Sequence, residues 1–289
     1  KINFGQRPWN YPESVPSEFK ALCTRNLDDP GIKKPFEHFE VSKWDGDASS
    51  PRTIQTDNEP DIVWVKNRHL SGRSNYLYDV VRGFGSQKEL VTDSIVKEGS
   101  TNHLTNNHGY VSGSSSSGFT LTAGATNSTY TNDNGSSYVG FSWDTGTTTV
   151  NNASGGTVTP TGLRANPDCG TSIITYDGTG NNLTLPHGLN KIPAMYIVKN
   201  RSKSSGFEWG VYHKDLPSNA AQNFNYSNNN SVSDTWWNNT RPTSSVISIG
   251  TYGAVNQNTG NHVAWVFSEI PGYSKFGTFT GGNDHYLFM

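Results

Sequence analysis

One passage of this chain is written twice. Val63-Trp64-Val65-Lys66-Asn67-Arg68 returns as Tyr196-Ile197-Val198-Lys199-Asn200-Arg201. The flanking text returns in the same order. Trp44-Asp45-Gly46-Asp47 aligns with Tyr176-Asp177-Gly178-Thr179, and Tyr138-Val139-Gly140-Phe141-Ser142-Trp143 aligns with His262-Val263-Ala264-Trp265-Val266-Phe267. Lys275-Phe276-Gly277-Thr278-Phe279-Thr280-Gly281-Gly282 resembles the opening of a third copy. A repeat of this length is a domain rather than one turn of a solenoid. The expected division is an N-terminal arm or the end of a preceding module over 1–35, repeat one over 36–168, repeat two over 169–271, and the start of a third repeat or a tail over 272–289. The chain opens on Lys1, and its end falls early in the third copy, so it reads as an excerpt of something longer.

The repeated text alternates and is rich in β-branched and aromatic residues, which suits half-buried strands. Candidate strands in repeat one are 38–44, 61–67, 76–81, 117–122 and 138–143. Those in repeat two are 173–176, 194–199, 209–212, 246–249 and 263–267. Only 16% of residues are charged, and 12% are aromatic with 8 Trp, a content that argues against disorder despite the Gly, Ser, Thr and Asn richness. Helical periodicity is poor. The expected fold is all-β, with tandem antiparallel β-sandwich modules of jelly-roll type. The stretch 147–167 reads as a linker or long hairpin.

The formal net charge of −2 gives no sign of a nucleic-acid partner. No apolar run is long enough to span a membrane as a helix. Cys23 and Cys169 are the only cysteines and sit at non-equivalent places in the repeat, so a bridge between them is a weak expectation. No Cys/His pattern with metal spacing appears, and no cofactor or metal is expected. Walker and dinucleotide loops are absent, and no nucleophile elbow lies between a strand and a helix. Nothing singles out a carboxylate pair for glycoside hydrolysis. The chain is therefore not expected to be an enzyme.

Two clusters stand out as candidate sites. Lys66-Asn67-Arg68 and Lys199-Asn200-Arg201 place two cations and an amide at a strand end, where they suit a carboxylate, sulfate or phosphate group. Their recurrence in both repeats favours a structural role, with Asn turning the chain. Trp236-Trp237-Asn238-Asn239 offers two rings for sugar stacking beside amide donors; the competing reading packs one ring under the loop and lays the other over the strand.

Asn3-Phe4-Gly5-Gln6-Arg7-Pro8 with Glu18-Phe19-Lys20-Ala21-Leu22 resembles a junction found in large structural proteins of marine tailed phages, notably cyanophages. The later text is similar to the repeats that follow that junction: 61–68, 163–167, 237–246 and 272–277. The resemblance implies a virion protein at the particle surface, either a tail fibre or appendage or a capsid knob or decoration. Its partners would then be other virion proteins, its own copies as a homo-oligomer such as a trimer, and a host-surface glycan. It transfers no catalytic residues. The expected function is display and glycan adhesion; the alternatives are a capsid decoration without ligand and a glycan depolymerase.

Overall fold

The computed structural model describes residues 30–100, 105–146, 155–203, 207–225 and 231–279. Residues 1–29, with Cys23 and the motifs at 3–8 and 18–22, and the third-copy text beyond 279 lie outside the described residues.

The described chain is all-β, as expected. Its first half carries β1 (Phe39–Asp45), β2 (Arg52–Gln55), β3 (Ile62–Asn67), β4 (Asn75–Asp79), β5 (Leu90–Val91), β6 (Tyr110–Ser115), β7 (Gly118–Thr122) and β8 (Ser137–Trp143). Its second half carries β9 (Gly162–Asn166), β10 (Thr171–Asp177), β11 (Leu183–Pro186), β12 (Pro193–Asn200), β13 (Gly210–His213), β14 (Ala220–Asn223), β15 (Ser231–Val232), β16 (Val246–Ile249) and β17 (Asn261–Ser268). Three single-turn helices join them: α1 (Thr105–His108), α2 (Asp234–Trp237) and α3 (Gly253–Asn256).

The two halves share a topology. The first builds a sheet in the order β1-β8-β3-β4-β5 and a smaller one in the order β2-β7-β6. The second builds β15-β14-β13-β12-β17-β10-β9 and β11-β16. The run β1-β8-β3-β4-β5 corresponds to β10-β17-β12-β13-β14, and β2-β7 to β11-β16. All ladders are antiparallel. The second sheet has two extra strands, β15 beside β14 at one end and β9 beside β10 at the other; β9 is the one that bears on the domain boundary. This strand lies in the stretch that reads as a linker, upstream of the expected boundary at 168/169. Its five residues are too short for an unambiguous pattern.

Side chains alternate between the two faces of a strand, and here both faces are apolar. In β3, Val63 and Val65 face the first module's own core, with Trp44, Phe119, Leu121 and Tyr138. Ile62 and Trp64 face the opposite way. In β17, Ala264 and Val266 join the second module's core with Tyr176, Tyr196 and Trp237. Val263 and Trp265 point away from it, and they meet Ile62, Leu77 and Leu90 of the first module in a third core together with Ile173 and Trp209. The modules therefore pack back to back through their large sheets. Uninterrupted runs such as Ile62-Val63-Trp64-Val65 follow from burial on two faces.

Polar contacts close the seam. Arg164 Nη2 lies 2.9 Å from Asp61 Oδ1, and Asp61 Oδ2 also accepts the Thr145 N–H and hydroxyl. Trp209 Nε1 donates to Ser94 O at 2.9 Å. Arg201 Nε donates to Glu98 Oε2, which also faces Arg82. Burial works against the Glu98 charge, but the Arg201 hydrogen bond and the nearby cations outweigh it and hold its pKa below the usual carboxylate value.

Candidate functional site

The repeated text serves the fold. Trp44 stacks on Tyr138 at 5.5 Å between centroids, and the aligned pair Tyr176 and His262 stacks at 5.1 Å. Gly46 donates to Ser136 O at 2.7 Å, and its counterpart Gly178 donates to Gly260 O at 2.8 Å. A Cβ at Gly46 would stand 2.0 Å from Asp133 O, and one at Gly178 would stand 2.1 Å from Gln257 O, so close backbone approach requires glycine at both places.

The Lys-Asn-Arg motifs divide by residue. Asn67 Nδ2 donates to Thr129 O at 2.9 Å while its Oδ1 accepts the His69 and Leu70 N–H groups. Asn200 does the same work, donating to Gly253 O and Gln257 Oε1 and accepting from Ser202 and Lys203. Both amides are buried and turn the chain after a strand. The cations have diverged. Lys199 is 0% exposed and donates to Ile95 O and Phe207 O at 3.0 and 2.8 Å, tying the modules together. Burial lowers its pKa to about 8. Arg201 pairs with Glu98 across the seam. Lys66 and Arg68, in the first module, are half-buried and exposed, and Lys66 Nζ donates to Arg73 O.

The tryptophan pair does not supply a stacking face. Trp236 is 3% exposed and Trp237 is 0% exposed. Ser233 caps α2 by accepting the Thr235 N–H, and this single turn drives both rings into the second core. Trp236 packs on Tyr252 and Trp237 meets Tyr196 edge-on. Asn238 and Asn239 follow in the left-handed region at φ 52° and 44°. Both are exposed, and their Oδ1 atoms accept from Asn182 Nδ2 and Ser218 Oγ. The quartet therefore lacks the rings that made it a sugar site.

Among the described residues, no group of three His, Cys, Asp or Glu side chains is placed to hold a metal ion. Cys169 is buried, with its thiol against Asp144 O and Asn166 O, and burial pushes its pKa up to about 11. A cavity of about 620 Å³ lies near Ile32, His38 and Ile270. Two of its lysines are already engaged, Lys34 with Glu37 at 2.6 Å and Lys191 with Pro167 O at 2.5 Å.

A continuous, partly accessible aromatic surface lies elsewhere, on the face of the first sheet that meets the second module. Register places Val41, Phe141, Trp64, Leu77 and Leu90 side by side across β1, β8, β3, β4 and β5. Val41 is 45% exposed, Phe141 and Trp64 are half-buried, and Leu77 and Leu90 are buried. The second module thus covers the β4–β5 side and leaves the β1–β8 side open. Phe39, Trp143 and Ile62 form the adjacent row. Phe39 and Trp143 lie 5.0 Å apart, Trp64 and Phe141 5.8 Å, and Trp64 and Phe224 of the second module 5.7 Å. Phe224 is 39% exposed. A strip of rings therefore runs from β1, the outermost strand of this sheet among the described residues, to the seam. Sequence reasoning missed it, although the alternation Phe141-Ser142-Trp143 places both rings on one face.

No curated protein matches the chain, and no protein of solved structure does. Residues 34–286, which span both modules, match a family described as a domain of unknown function, DUF7483, and the chain belongs to that family.

Proposed function

We propose that this protein is a non-catalytic adhesion module displayed on the surface of a tailed-phage particle, and that its aromatic strip binds host-surface glycan. The observation that carries the binding reading is the strip itself: half-exposed Phe39, Phe141 and Trp143 with exposed Val41 on one sheet face. Adjacent rings suit sugars, whose C–H faces are apolar while their hydroxyls stay wet; here neighbouring rings are tilted by 31–48° to one another. The resemblance of 61–68, 163–167, 237–246 and 272–277 to cyanophage structural repeats supports the virion setting, with other virion proteins and further copies of the chain as partners. A fibre or appendage suits adhesion, because weak contacts multiplied by copy number give a firm hold. The back-to-back packing of the modules supports a rigid display unit.

The test is binding of the purified protein to intact host cells and to their extracted surface polysaccharide. Wild type binds, and Val41→Glu, at an exposed site that leaves the core intact, weakens binding by about tenfold or more. Equal binding by wild type and Val41→Glu refutes the role of the strip. Release of reducing sugar from the polysaccharide refutes the non-catalytic reading in favour of a depolymerase. Binding to the capsid lattice without binding to cells refutes adhesion in favour of decoration.

A further inference from the structure

We infer that the strip takes an acidic polysaccharide, with the carboxylate or sulfate groups seated on Lys43 and Lys66. The inference rests on the glycan-binding reading and names the ligand class. The row next to Val41, Phe141 and Trp64 on the same face is Lys43, Val139 and Lys66. Neighbouring rows on a face are about 6.8 Å apart, and the flanking strands β1 and β3 stand about 10 Å apart across β8. Two cations thus straddle one end of the ring surface at a spacing set by the sheet.

Their environment leaves charge available. Lys43 is exposed and makes no ion pair among the described residues. Lys66 donates once, to Arg73 O, and an ammonium has three donors. Arg68 and Arg73, both exposed, lie on the connection from β3 to β4 and add to the positive potential. Acids near this end are few. Asp45, exposed, lies one row further out on the same face, and its backbone carbonyl rather than its carboxylate accepts from Arg52. Asp93 accepts the Asn75 N–H at 3.4 Å. Glu40 points to the other face, where it accepts the Asp57 N–H. The three rows made by Phe39, Trp143 and Ile62, by Val41, Phe141 and Trp64, and by Lys43, Val139 and Lys66 contain no acid. A neutral glycan uses the rings alone. An acidic one adds charge-assisted hydrogen bonds, which are about twice as strong as neutral ones.

The experiment compares paired polymers that differ only in charge: dextran sulfate with dextran, and polygalacturonate with its methyl ester, by affinity electrophoresis of the full chain. Expected is at least tenfold tighter binding of one acidic polymer than of its neutral partner. Lys43→Glu should abolish that preference, and Phe141→Ala should weaken binding of both members of the pair. Equal binding of acidic and neutral partners, unchanged by Lys43→Glu, overturns the acidic inference and leaves the glycan reading standing. Binding of the acidic polymer that survives Phe141→Ala at full strength shows ionic binding without the rings, and overturns the inference. Binding of none of the polymers overturns it as well, and binding of none of them nor of host polysaccharide overturns both readings. Self-association that Val41→Glu abolishes, seen by light scattering, makes a second copy the occupant of the strip and overturns both.

Discussion

Trp265→Ala reports on whether the two modules are one cooperative unit. Trp265 is 2% exposed and lies in the core shared by the modules, where it stacks on Trp209 at 5.7 Å and 18°. Register places it between Ile173 and Ile197, and the Arg82 guanidinium of the first module sits 5.7 Å from its ring. Truncating a buried Trp to Ala costs about 3–5 kcal/mol through lost burial and the cavity left behind. Loss of the cation–π contact with Arg82 adds about 1 kcal/mol. For a unit of this size each kcal/mol moves the midpoint by about 2–4 °C, so the expected fall is roughly 10 °C or more. The assay is differential scanning calorimetry with native-state hydrogen exchange. One transition should move, and protection in β3 and β4 of the first module should fall along with that in β10 and β12 of the second. Two transitions, with only the second module's shifted and β3 and β4 unchanged, would refute the shared core.

Gly178→Ala is expected to destabilise the protein by about 1–3 kcal/mol, because the new Cβ meets the Gln257 backbone rather than a side chain that can swing away; chemical denaturation reads the change. The buried Lys199 has a folded pKa lowered to about 8 from 10.5, so between about pH 8 and pH 10.5 the unfolded chain holds more protons and wild-type stability gains from rising pH. Lys199→Met should lose that gain, and parallel pH curves for the two proteins in this window would contradict the assignment. The Cys169 thiol, buried with a pKa raised to about 11, should react with a thiol reagent at neutral pH only on unfolding, so rapid native-state labelling at this position contradicts its placement.

The strands of the repeated text, such as β1, β3, β8, β12 and β17, were legible because their alternation is local, whereas β2, β5, β6, β11, β14 and β15, of two to six residues, were not expected. The repeat was legible too, and its purpose follows from particular residues: Gly46 and Gly178 admit a backbone carbonyl, and Asn67 and Asn200 turn the chain. Environment was not legible. Lys66 and Lys199 share a letter and a register position, yet one is half-buried within its hairpin and the other bridges two modules. Trp236-Trp237 left an exposed pair and a packed pair both open, and a single capped turn buries both rings. The strip was hidden for a related reason. Which end of the row from Val41 to Leu90 stays open depends on where the second module docks, and that placement is a tertiary property no local pattern encodes. The strand β9 was read as linker because its pairing partner, β10, supplies what its five residues cannot signal alone.

The most direct test of the account is a tryptophan-fluorescence titration with host-surface polysaccharide, comparing wild type, Val41→Glu and Asn239→Ala. The strip predicts a saturable change in wild type and in Asn239→Ala, and its loss in Val41→Glu. A titration lost in Asn239→Ala and intact in Val41→Glu would place binding at the loop after α2 and contradict the account.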